Sequence, residues 1–216
     1  MSFVVAIDGP AGVGKSTLAR RLARELGLPY LNTGSMYRAV TLEAIRSGAA
    51  LDDGDELARI AGRLTFTLAG DRLPELTIDG ASPGAELSSP DVEAAVSSVA
   101  SHPAVREVLR AEQRRLSAAG GVVEGRDIGS VVRPDADVKL FLTARADVRA
   151  ARRAGEIRAP EGRVADALRA RDERDSGVNP FVPAEDAIEL DTTGRTADEV
   201  FDRALRVVRA AARSAP

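Results

Sequence analysis

The octapeptide GPAGVGKS at positions 9–16 constrains the fold of this chain more than any other feature. It matches the pattern G-x-x-x-x-G-K-[ST]. It stands between an apolar run at 3–7, which predicts a buried strand, and a segment at 15–26 whose leucines recur every four residues, as in a helix. The alternative is a glycine-rich turn that only caps a helix, but chance would produce the whole pattern on the order of once in several hundred cases. The setting therefore predicts a phosphate-binding loop.

Each part of this loop has a physical role toward a nucleotide. Glycines let successive backbone N–H groups surround phosphate oxygens, and the helix N-terminus adds its positive dipole end. Lys15, one of only two lysines among 30 Lys and Arg residues, would bring a point charge to the β and γ oxygens. The Ser16 hydroxyl would complete the shell of a Mg²⁺ ion, so we expect ATP and Mg²⁺ as cofactors. The predicted ATP-binding residues are Gly9, Pro10, Ala11, Gly12, Val13, Gly14, Lys15, Ser16 and Thr17.

The composition of the 216 residues is that of an ordinary soluble protein, with 44% hydrophobic and 29% charged residues and a formal net charge of −3. This balance gives no reason to expect binding to nucleic acid or to a membrane surface. The absence of cysteine excludes disulfide bonds, thiolate catalysis and cysteine-based metal sites. The first residues show no signal-peptide pattern and no long apolar run follows, so we expect a cytoplasmic protein, and we expect it to be a monomer.

Apolar runs that predict strands alternate along the chain with periodic segments that predict helices, which favours a parallel sheet with right-handed crossovers. Residues 64–89 differ, because LTFTL and LTI alternate apolar and polar residues between Gly, Asp and Pro turns. We predict an α/β, three-layer fold of the P-loop NTPase type, with a five-stranded parallel sheet and a small antiparallel insert. The predicted strands are 3–7, 29–31, 121–124, 138–142 and 187–190. The predicted helices include 15–26, 35–46 and a last helix that opens with a capping box, TADE, at 196–199.

A phosphate loop alone does not identify the reaction, because GTPases, ATPase motors and small kinases share it. The chain lacks the Asn-Lys-x-Asp guanine motif of GTPases, and polar residues at 33–38 and 125–127 could bind a second anion. Residues 145–174 hold nine arginines against six acidic residues, which fits a helical lid that surrounds a loose transition state with cations and excludes water. A solvated helix face is the alternative for this run. We therefore predict a small-molecule kinase. Its predicted catalytic residues are Lys15, Arg126, Arg152, Arg153 and Arg158.

Seven short motifs follow one another along the chain: AIDGPAGVGKST, LNTGSMYRA, HPAVRE, EGRDIGSVV, PDADVKLFL, RDERD and AIELDTT. In this order and spacing they resemble the bacterial cytidylate (CMP) kinase family over nearly the whole chain. The resemblance implies an ATP-dependent nucleoside-monophosphate kinase that phosphorylates CMP or dCMP. It also implies a single P-loop kinase domain with an enlarged monophosphate-binding insert at about 62–100 and a helical lid at about 150–165.

The resemblance also assigns an acceptor site. The positions that hold the acceptor phosphate are matched by Thr33, Tyr37, Arg38 and Arg126. Those that read the cytosine edge are matched by Ser97, Arg106 and Asp127, and those near the phosphate and ribose by Arg171 and Asp175. Cytosine offers an amino donor and a ring-nitrogen acceptor, so a carboxylate and an arginine complement it, whereas uracil reverses this pattern. Such a mismatch costs kcal/mol rather than tenths.

Without the resemblance, several of these residues have plainer interpretations. Tyr37 could simply pack, the Arg126–Asp127 pair could be an ion pair within a turn, and Arg106 would be interpreted as a solvated helix arginine beside Arg110. Two alternative functions therefore stay open. One is a P-loop kinase for another small acceptor, such as a different monophosphate or shikimate. The other is a nucleotide-binding switch or adaptor without fast turnover.

The chain departs from the family pattern after RDERD. The family typically has an arginine three residues beyond the second aspartate and a Pro-Leu pair four residues later, whereas this chain has Val178 there and Pro180 two residues early. The resemblance thus implies that one acceptor-binding cation is missing from a shortened loop. Arg174 is the nearest arginine that could replace it.

Two further residues could carry chemistry. The lone histidine, His102, precedes Pro103 at a predicted helix start and is interpreted as a cap rather than as a catalyst. Glu124 ends a predicted strand and could orient a metal-bound water.

Overall fold

A single mixed sheet of seven strands forms the centre of the computed structural model, which describes residues 2–157, 160–178 and 180–214. The strands are β1 (Val4–Asp8), β2 (Tyr30–Asn32), β3 (Phe66–Ala69), β4 (Glu75–Ile78), β5 (Gly121–Glu124), β6 (Val138–Thr143) and β7 (Ile188–Asp191). They are hydrogen-bonded in the order β3-β4-β2-β5-β1-β6-β7. Neighbouring strands pair in parallel except for β3 and β4, which form an antiparallel hairpin. The α/β fold with a mostly parallel sheet is thereby confirmed.

The five predicted parallel strands are β2, β5, β1, β6 and β7, each within one residue of its predicted bounds. β1 lies between β5 and β6, and Val4, Val5, Ala6 and Ile7 are fully buried. A strand with helices on both faces reads as a continuous apolar run, which is why this segment could be identified from its sequence.

The predicted antiparallel insert is confirmed as the β3–β4 hairpin, and it continues the main sheet. Tyr30 of β2 pairs in parallel with Glu75 of β4, so the sheet has six parallel strands where five were predicted, and β3 is a seventh, antiparallel edge strand. This pairing covers backbone groups of β2 that would otherwise form an open edge. The Arg20 guanidinium, which lies over the Tyr30 ring, donates from Nε to Glu75 at 3.0 Å and ties the hairpin to the helix after β1.

Eight α-helices in the described residues surround the sheet. They are α1 (Lys15–Leu26), α2 (Thr33–Ser47), α3 (Gly54–Arg63), α4 (Pro90–Ser101), α5 (Pro103–Leu116), α6 (Ala146–Ile157), α7 (Glu161–Val178) and α8 (Ala197–Ser214). A 3₁₀ turn at Ala85–Ser88 lies between β4 and α4, and a π-helical turn at Ile128–Val132 lies between β5 and β6. α1 ends at Gly27 as predicted, and the predicted capping box of α8 forms between Thr196 and Glu199.

The sheet separates two hydrophobic cores, so the fold has three layers. On one face Val5 and Ile7 of β1 pack with buried residues of α1 and α8, such as Leu22 and Val208. On the other face alternate residues of β1 pack with α2, α3 and α5. The arginine-rich stretch forms α6 and α7, which share a small core of their own made by Ala150, Ala154, Val164 and Leu168. None of the helices in the described residues combines the length and the apolar character that crossing a lipid bilayer requires.

His102 occupies the N-cap position of α5, but its side chain does not cap the helix. Its Nε2 instead lies 2.9 Å from the carbonyl oxygen of Leu51, and the ring packs closely against Gly54 of α3. The predicted capping role is therefore wrong for the side chain, because the imidazole is bound to a backbone carbonyl in the loop before α3.

Candidate active site

A cavity of about 270 Å³ lies where β1, β2 and β5 end and loops lead into helices. Ligand sites of open α/β sheets form at this edge, because strand ends and helix N-termini meet there in a crevice. All nine predicted acceptor-site residues line it. Together with the lining residues predicted for ATP or catalysis they are Ala11, Gly12, Gly14, Lys15, Ser16, Thr17, Thr33, Tyr37, Arg38, Ser97, Arg106, Arg126, Asp127, Arg153, Arg171 and Asp175.

The phosphate loop follows β1 with a backbone that only glycine adopts readily. Gly9 and Gly12 have φ values of +141° and +76°, and a Cβ at Gly9 would lie 2.3 Å from a carbonyl oxygen of β6. Lys15 Nζ donates to the carbonyl oxygens of Gly9 at 2.8 Å and Pro10 at 2.7 Å. Three predicted ATP-binding residues, Gly9, Pro10 and the buried Val13, do not line the cavity.

Lys15 is half-buried beside both arginines and carboxylates. Burial, followed by the nearby charge of Arg126, lowers the pKa of Lys15 to about 7, against the opposing charges of Glu124 and Asp8. A phosphate oxygen at this ammonium would favour the charged form. The local electrostatics thus suit an anionic ligand.

Glu124 connects the phosphate loop with β2. Its Oε2 accepts a hydrogen bond from Ser16 Oγ at 3.0 Å, and its Oε1 accepts a short one from the Tyr30 hydroxyl. Burial and the Glu124 charge raise the pKa of Tyr30, so the phenol remains a donor. No cluster of three His, Cys, Asp or Glu residues that could hold a metal occurs in the described parts of the chain. A hydroxyl with a carboxylate behind it does fit a Mg²⁺ ion whose other ligands come from a nucleotide.

The start of α2 brings three predicted residues into the cavity. Thr33 Oγ1 donates to the backbone carbonyl of Glu124 at 2.7 Å, which fixes α2 against the end of β5. Tyr37 lies one turn further on. Burial and the charge of Asp127 raise its pKa to about 12, so its hydroxyl stays protonated at neutral pH. Arg38 follows directly and is held by a carboxylate of α4, as described below.

Arg126 crosses the cavity between the phosphate loop and α7. Its Nη1 donates to Gly9 O at 2.7 Å, its Nη2 donates to Asp175 at 2.9 Å, and its guanidinium lies 5.3 Å from the centre of the Phe181 ring. Ser97 of α4 also donates to Asp175, at 2.9 Å. Phe181 could not be predicted from the sequence, because nothing local connects it with a residue in the turn after β5.

Asp127 forms ion pairs with two arginines through one oxygen. Arg106 lies 3.6 Å from Asp127 Oδ2, and Arg110 forms a short hydrogen bond with the same atom. Arg106 also donates to the carbonyl of Val178 at 3.1 Å. The predicted Arg106–Asp127 pair is therefore brought together. The role of Arg110 was missed, although its spacing of four residues from Arg106 on a helix signalled a shared face.

Two of the predicted lid arginines, Arg152 and Arg153, take different positions relative to the cavity. Arg153 lines the cavity and donates to Glu93 at 2.7 Å. Arg152 does not line it, because its guanidinium binds the hydroxyl and the carbonyl of Thr192 at 2.9 and 2.7 Å. Consecutive helical residues point about 100° apart, and the hydrogen bonds to Thr192 hold Arg152 on a different side of α6 from Arg153. Arg158 lies outside the described residues.

Arg149 joins the lid to the phosphate loop and was also missed. Its Nη1 donates to the carbonyl of Ala11 at 3.1 Å and to Asp172 of α7 at 2.5 Å. This pair anchors α6 and α7 over the loop. No local signal distinguishes Arg149 from the other arginines of the stretch.

The C-terminal half of α7 points Arg171 and Arg174 in different directions. Arg171 lines the cavity, with its Nε 3.7 Å from Asp175. Arg174 donates to the carbonyls of Ala170 at 3.0 Å and Ala94 at 3.3 Å, on the outer side of α4. Val178 lines the cavity. Arg174 is therefore not positioned to replace the cation expected at residue 178.

Comparison with known proteins decides the family. The sequence profile described as cytidylate kinase matches residues 5–210. The chain belongs to the cytidylate kinase family. The cytidylate kinase of Rhodococcus opacus (strain B4) is 47% identical to it, over 96% of this chain and 95% of the relative. That of Desulfitobacterium hafniense (strain Y51) is 44% identical, over 93% and 90%.

Solved structures support the fold. A gluconokinase from Sinorhizobium meliloti 1021 matches with a TM-score of 0.55 and 14% identity, over 98% of this chain and 94% of that one, which shows a shared architecture only. Membership in the cytidylate kinase family confirms the resemblance of the seven motifs. A kinase of this family uses ATP, so that cofactor prediction is confirmed as well.

Proposed function

We propose that this protein transfers the γ-phosphoryl group of ATP to CMP or dCMP and releases ADP with CDP or dCDP. One observation carries the proposal: a single cavity is lined both by Lys15 and Ser16 of the phosphate loop and by the Arg106–Asp127 pair. A loop suited to ATP phosphates and a pair complementary to cytosine would bring the two substrates together. The family supports the same reaction.

In the proposed reaction an oxygen of the acceptor monophosphate forms a bond to the γ-phosphorus. The bond from that phosphorus to the β–γ bridging oxygen breaks, and its electron pair leaves with ADP. A monophosphate dianion is already a nucleophile, so catalysis is positioning and charge neutralisation. Lys15, Arg126 and Arg153 would surround the transferred group with positive charge. Mg²⁺, arriving with ATP, would add positive charge at the β and γ oxygens, and Ser16 backed by Glu124 would hold it.

The acceptor would be held by the residues that line the cavity beyond the phosphate loop. We propose that its phosphate binds Thr33, Tyr37, Arg38 and Arg126, that its base binds Ser97, Arg106 and Asp127, and that Arg171 and Asp175 contact phosphate and ribose. We also propose that the residues at about 62–100 form the monophosphate-binding insert and that those at about 150–165 form the lid. Catalytic roles for Arg152 and Arg158, the monomeric state and the cytoplasmic location stay predictions.

The test is ADP formation with ATP and Mg²⁺ against CMP, dCMP, UMP, AMP, GMP, dTMP and shikimate. We expect fast turnover with CMP and dCMP and at least about tenfold lower kcat/KM with UMP, because uracil presents a carbonyl oxygen to Asp127. Comparable rates with another acceptor would assign a different kinase. ADP formation that no acceptor accelerates would contradict the kinase function itself.

A further inference from the structure

Glu93, in the first turn of α4, binds three arginines from three other helices. Its Oε1 accepts from Arg38 of α2 at 2.6 Å and from Arg153 of α6 at 2.7 Å, and its Oε2 accepts from Arg171 of α7 at 2.9 Å. The side chain is 25% exposed, and those of the arginines are 16 to 29% exposed. These are therefore partly desolvated, charge-assisted hydrogen bonds, which are stronger than surface ion pairs.

All three arginines line the cavity, whereas Glu93 stands behind them and does not. Three guanidinium groups that converge on one cavity repel one another unless an anion lies between them. Burial alone would raise the pKa of Glu93, but the hydrogen bond from Arg38 and the charges of all three arginines lower it below its usual value. The carboxylate is thus ionised at neutral pH and offsets part of this repulsion.

The hydrogen bonds to Glu93 use only some of the N–H donors of these arginines. Glu93 takes Nη1 of Arg38 and Nη1 of Arg171, and each guanidinium carries five N–H donors. Arg171 Nε is buried and has no hydrogen-bond partner within the described part of the chain, and the Asp175 carboxylate lies 3.7 Å from it, beyond hydrogen-bond distance. A buried donor of this kind needs an acceptor, and a phosphate oxygen in the cavity would supply one.

We propose that Glu93 is a positioning residue, which holds Arg38 and Arg171 in the orientation that binds the acceptor phosphate and Arg153 beside the transferred group. This inference rests on the proposed function. Glu93 acts through the arginines and does not touch the substrate. Because Arg153 and Arg171 belong to α6 and α7 while Arg38 belongs to α2, the same carboxylate also fixes the lid helices relative to the acceptor side.

The test compares Glu93→Gln with Asp91→Asn, an exposed acidic residue in the same turn of α4. Both changes remove one charge from the same helix N-terminus, but only Glu93 binds the cavity arginines. In Glu93→Gln we expect KM for CMP to rise roughly tenfold or more, with KM for ATP changed less than about threefold. We expect kcat at saturating CMP to fall less than KM rises, because the bound phosphate can itself order the arginines. Asp91→Asn should behave as wild type.

Two further variants separate positioning from a merely structural role. Glu93→Asp keeps the charge on a shorter side chain, so its KM for CMP should lie between those of wild type and Glu93→Gln. In an Arg38→Ala background, Glu93→Gln should raise KM by a smaller factor than in wild type, because one of its targets is gone. A KM for CMP within about twofold of wild type in Glu93→Gln, equal effects of Asp91→Asn, or additive effects with Arg38→Ala would overturn the inference. If wild type itself forms no ADP in response to CMP, the proposed function fails instead.

Discussion

At the scale of single residues, Asp127 shows how one carboxylate can be both structural and selective. Arg106 and Arg110 meet on the same oxygen of its side chain. Both arginines are only partly exposed, so their charges depend on Asp127 for neutralisation. A substitution of Asp127 will alter the binding of any acceptor, so the selection of the base has to be measured as the ratio of kcat/KM for two acceptors.

We predict that Asp127→Asn lowers the ratio of kcat/KM for CMP over UMP by roughly tenfold or more, about 1.4 kcal/mol. The amide can donate to the uracil carbonyl that repels the carboxylate, and it binds the cytosine amino group less strongly. Steady-state kinetics with both acceptors gives the ratio. Asp135→Asn is the control, since Asp135 also pairs with an arginine, Arg133, but lies outside the cavity. An unchanged ratio in Asp127→Asn would mean that this residue does not read the base.

Lys15 allows a second prediction at this scale. Lys15→Ala should lower kcat by orders of magnitude, because a point charge at the transferred phosphoryl is lost. The variant should stay folded, since removal of a charge that burial disfavours offsets the loss of the two hydrogen bonds to loop carbonyls. Lys139→Ala removes the other lysine, whose partner Asp186 lies away from the cavity, and should retain kcat. A folded Lys15→Ala protein with more than about a tenth of wild-type turnover would contradict phosphoryl transfer by this site.

At the scale of elements, the end of α7 distinguishes this chain from the family pattern. Val178 occupies a cavity position where the family pattern predicts an arginine, and its carbonyl accepts from Arg106. Arg174 is directed to α4. In the same region Phe181 covers the guanidinium of Arg126. The segment therefore supports two cavity arginines without adding a charge of its own.

We predict that Val178→Arg lowers KM for CMP by roughly tenfold or more while kcat stays nearly constant. An added charge-assisted hydrogen bond to the acceptor phosphate is worth roughly 1.5–3 kcal/mol and acts on ground and transition states alike. The backbone carbonyl that binds Arg106 is kept. Arg174→Ala is the matched control and should leave KM unchanged. A sharp rise of KM in Arg174→Ala, with no effect of Val178→Arg, would show that Arg174 serves the acceptor after all.

At the scale of the whole molecule, Asp8 joins the centre of the sheet to the turn that follows β5. Its two carboxylate oxygens accept from the backbone N–H groups of Ile128 and Gly129 at 2.9 and 2.8 Å. Burial raises its pKa to about 6, although these two hydrogen bonds oppose the shift. The folded protein thus retains the proton up to about pH 6, whereas the unfolded chain releases it near 3.8.

It follows that ionisation of Asp8 costs stability as pH rises from about 4 to 6, by up to about 3 kcal/mol. We predict that wild type loses stability relative to Asp8→Asn over this interval, because asparagine does not titrate. The quantity compared is the free energy of unfolding of wild type minus that of the variant, which should decrease. Urea denaturation at several pH values measures it. For Asp135→Asn the difference should change little over this interval and fall only as pH drops below about 4, since the hydrogen bond from Arg133 lowers the pKa of Asp135. A flat difference for Asp8→Asn would contradict the raised pKa.

The sequence by itself determined the features that depend on local pattern. Strand bounds followed from apolar runs, the end of α1 from Gly27, and the start of α8 from its capping box, because each rests on residues a few positions apart. The phosphate loop was predictable for the same reason. Ordered motifs then identified the family and the residues that line the cavity.

Only the tertiary structure decided which distant groups meet. The hairpin joins β2 through Tyr30 and Glu75, and Phe181 reaches Arg126, in pairings that no local spacing encodes. Neither composition nor helical periodicity shows which of the many arginines of α6 and α7 are directed into the cavity. A charged side chain can lie on any exposed side of a helix, and only the packing of that helix determines what the side chain contacts. Glu93 was invisible from the sequence for this reason, because its importance comes from three arginines on three other helices that the fold brings to one carboxylate.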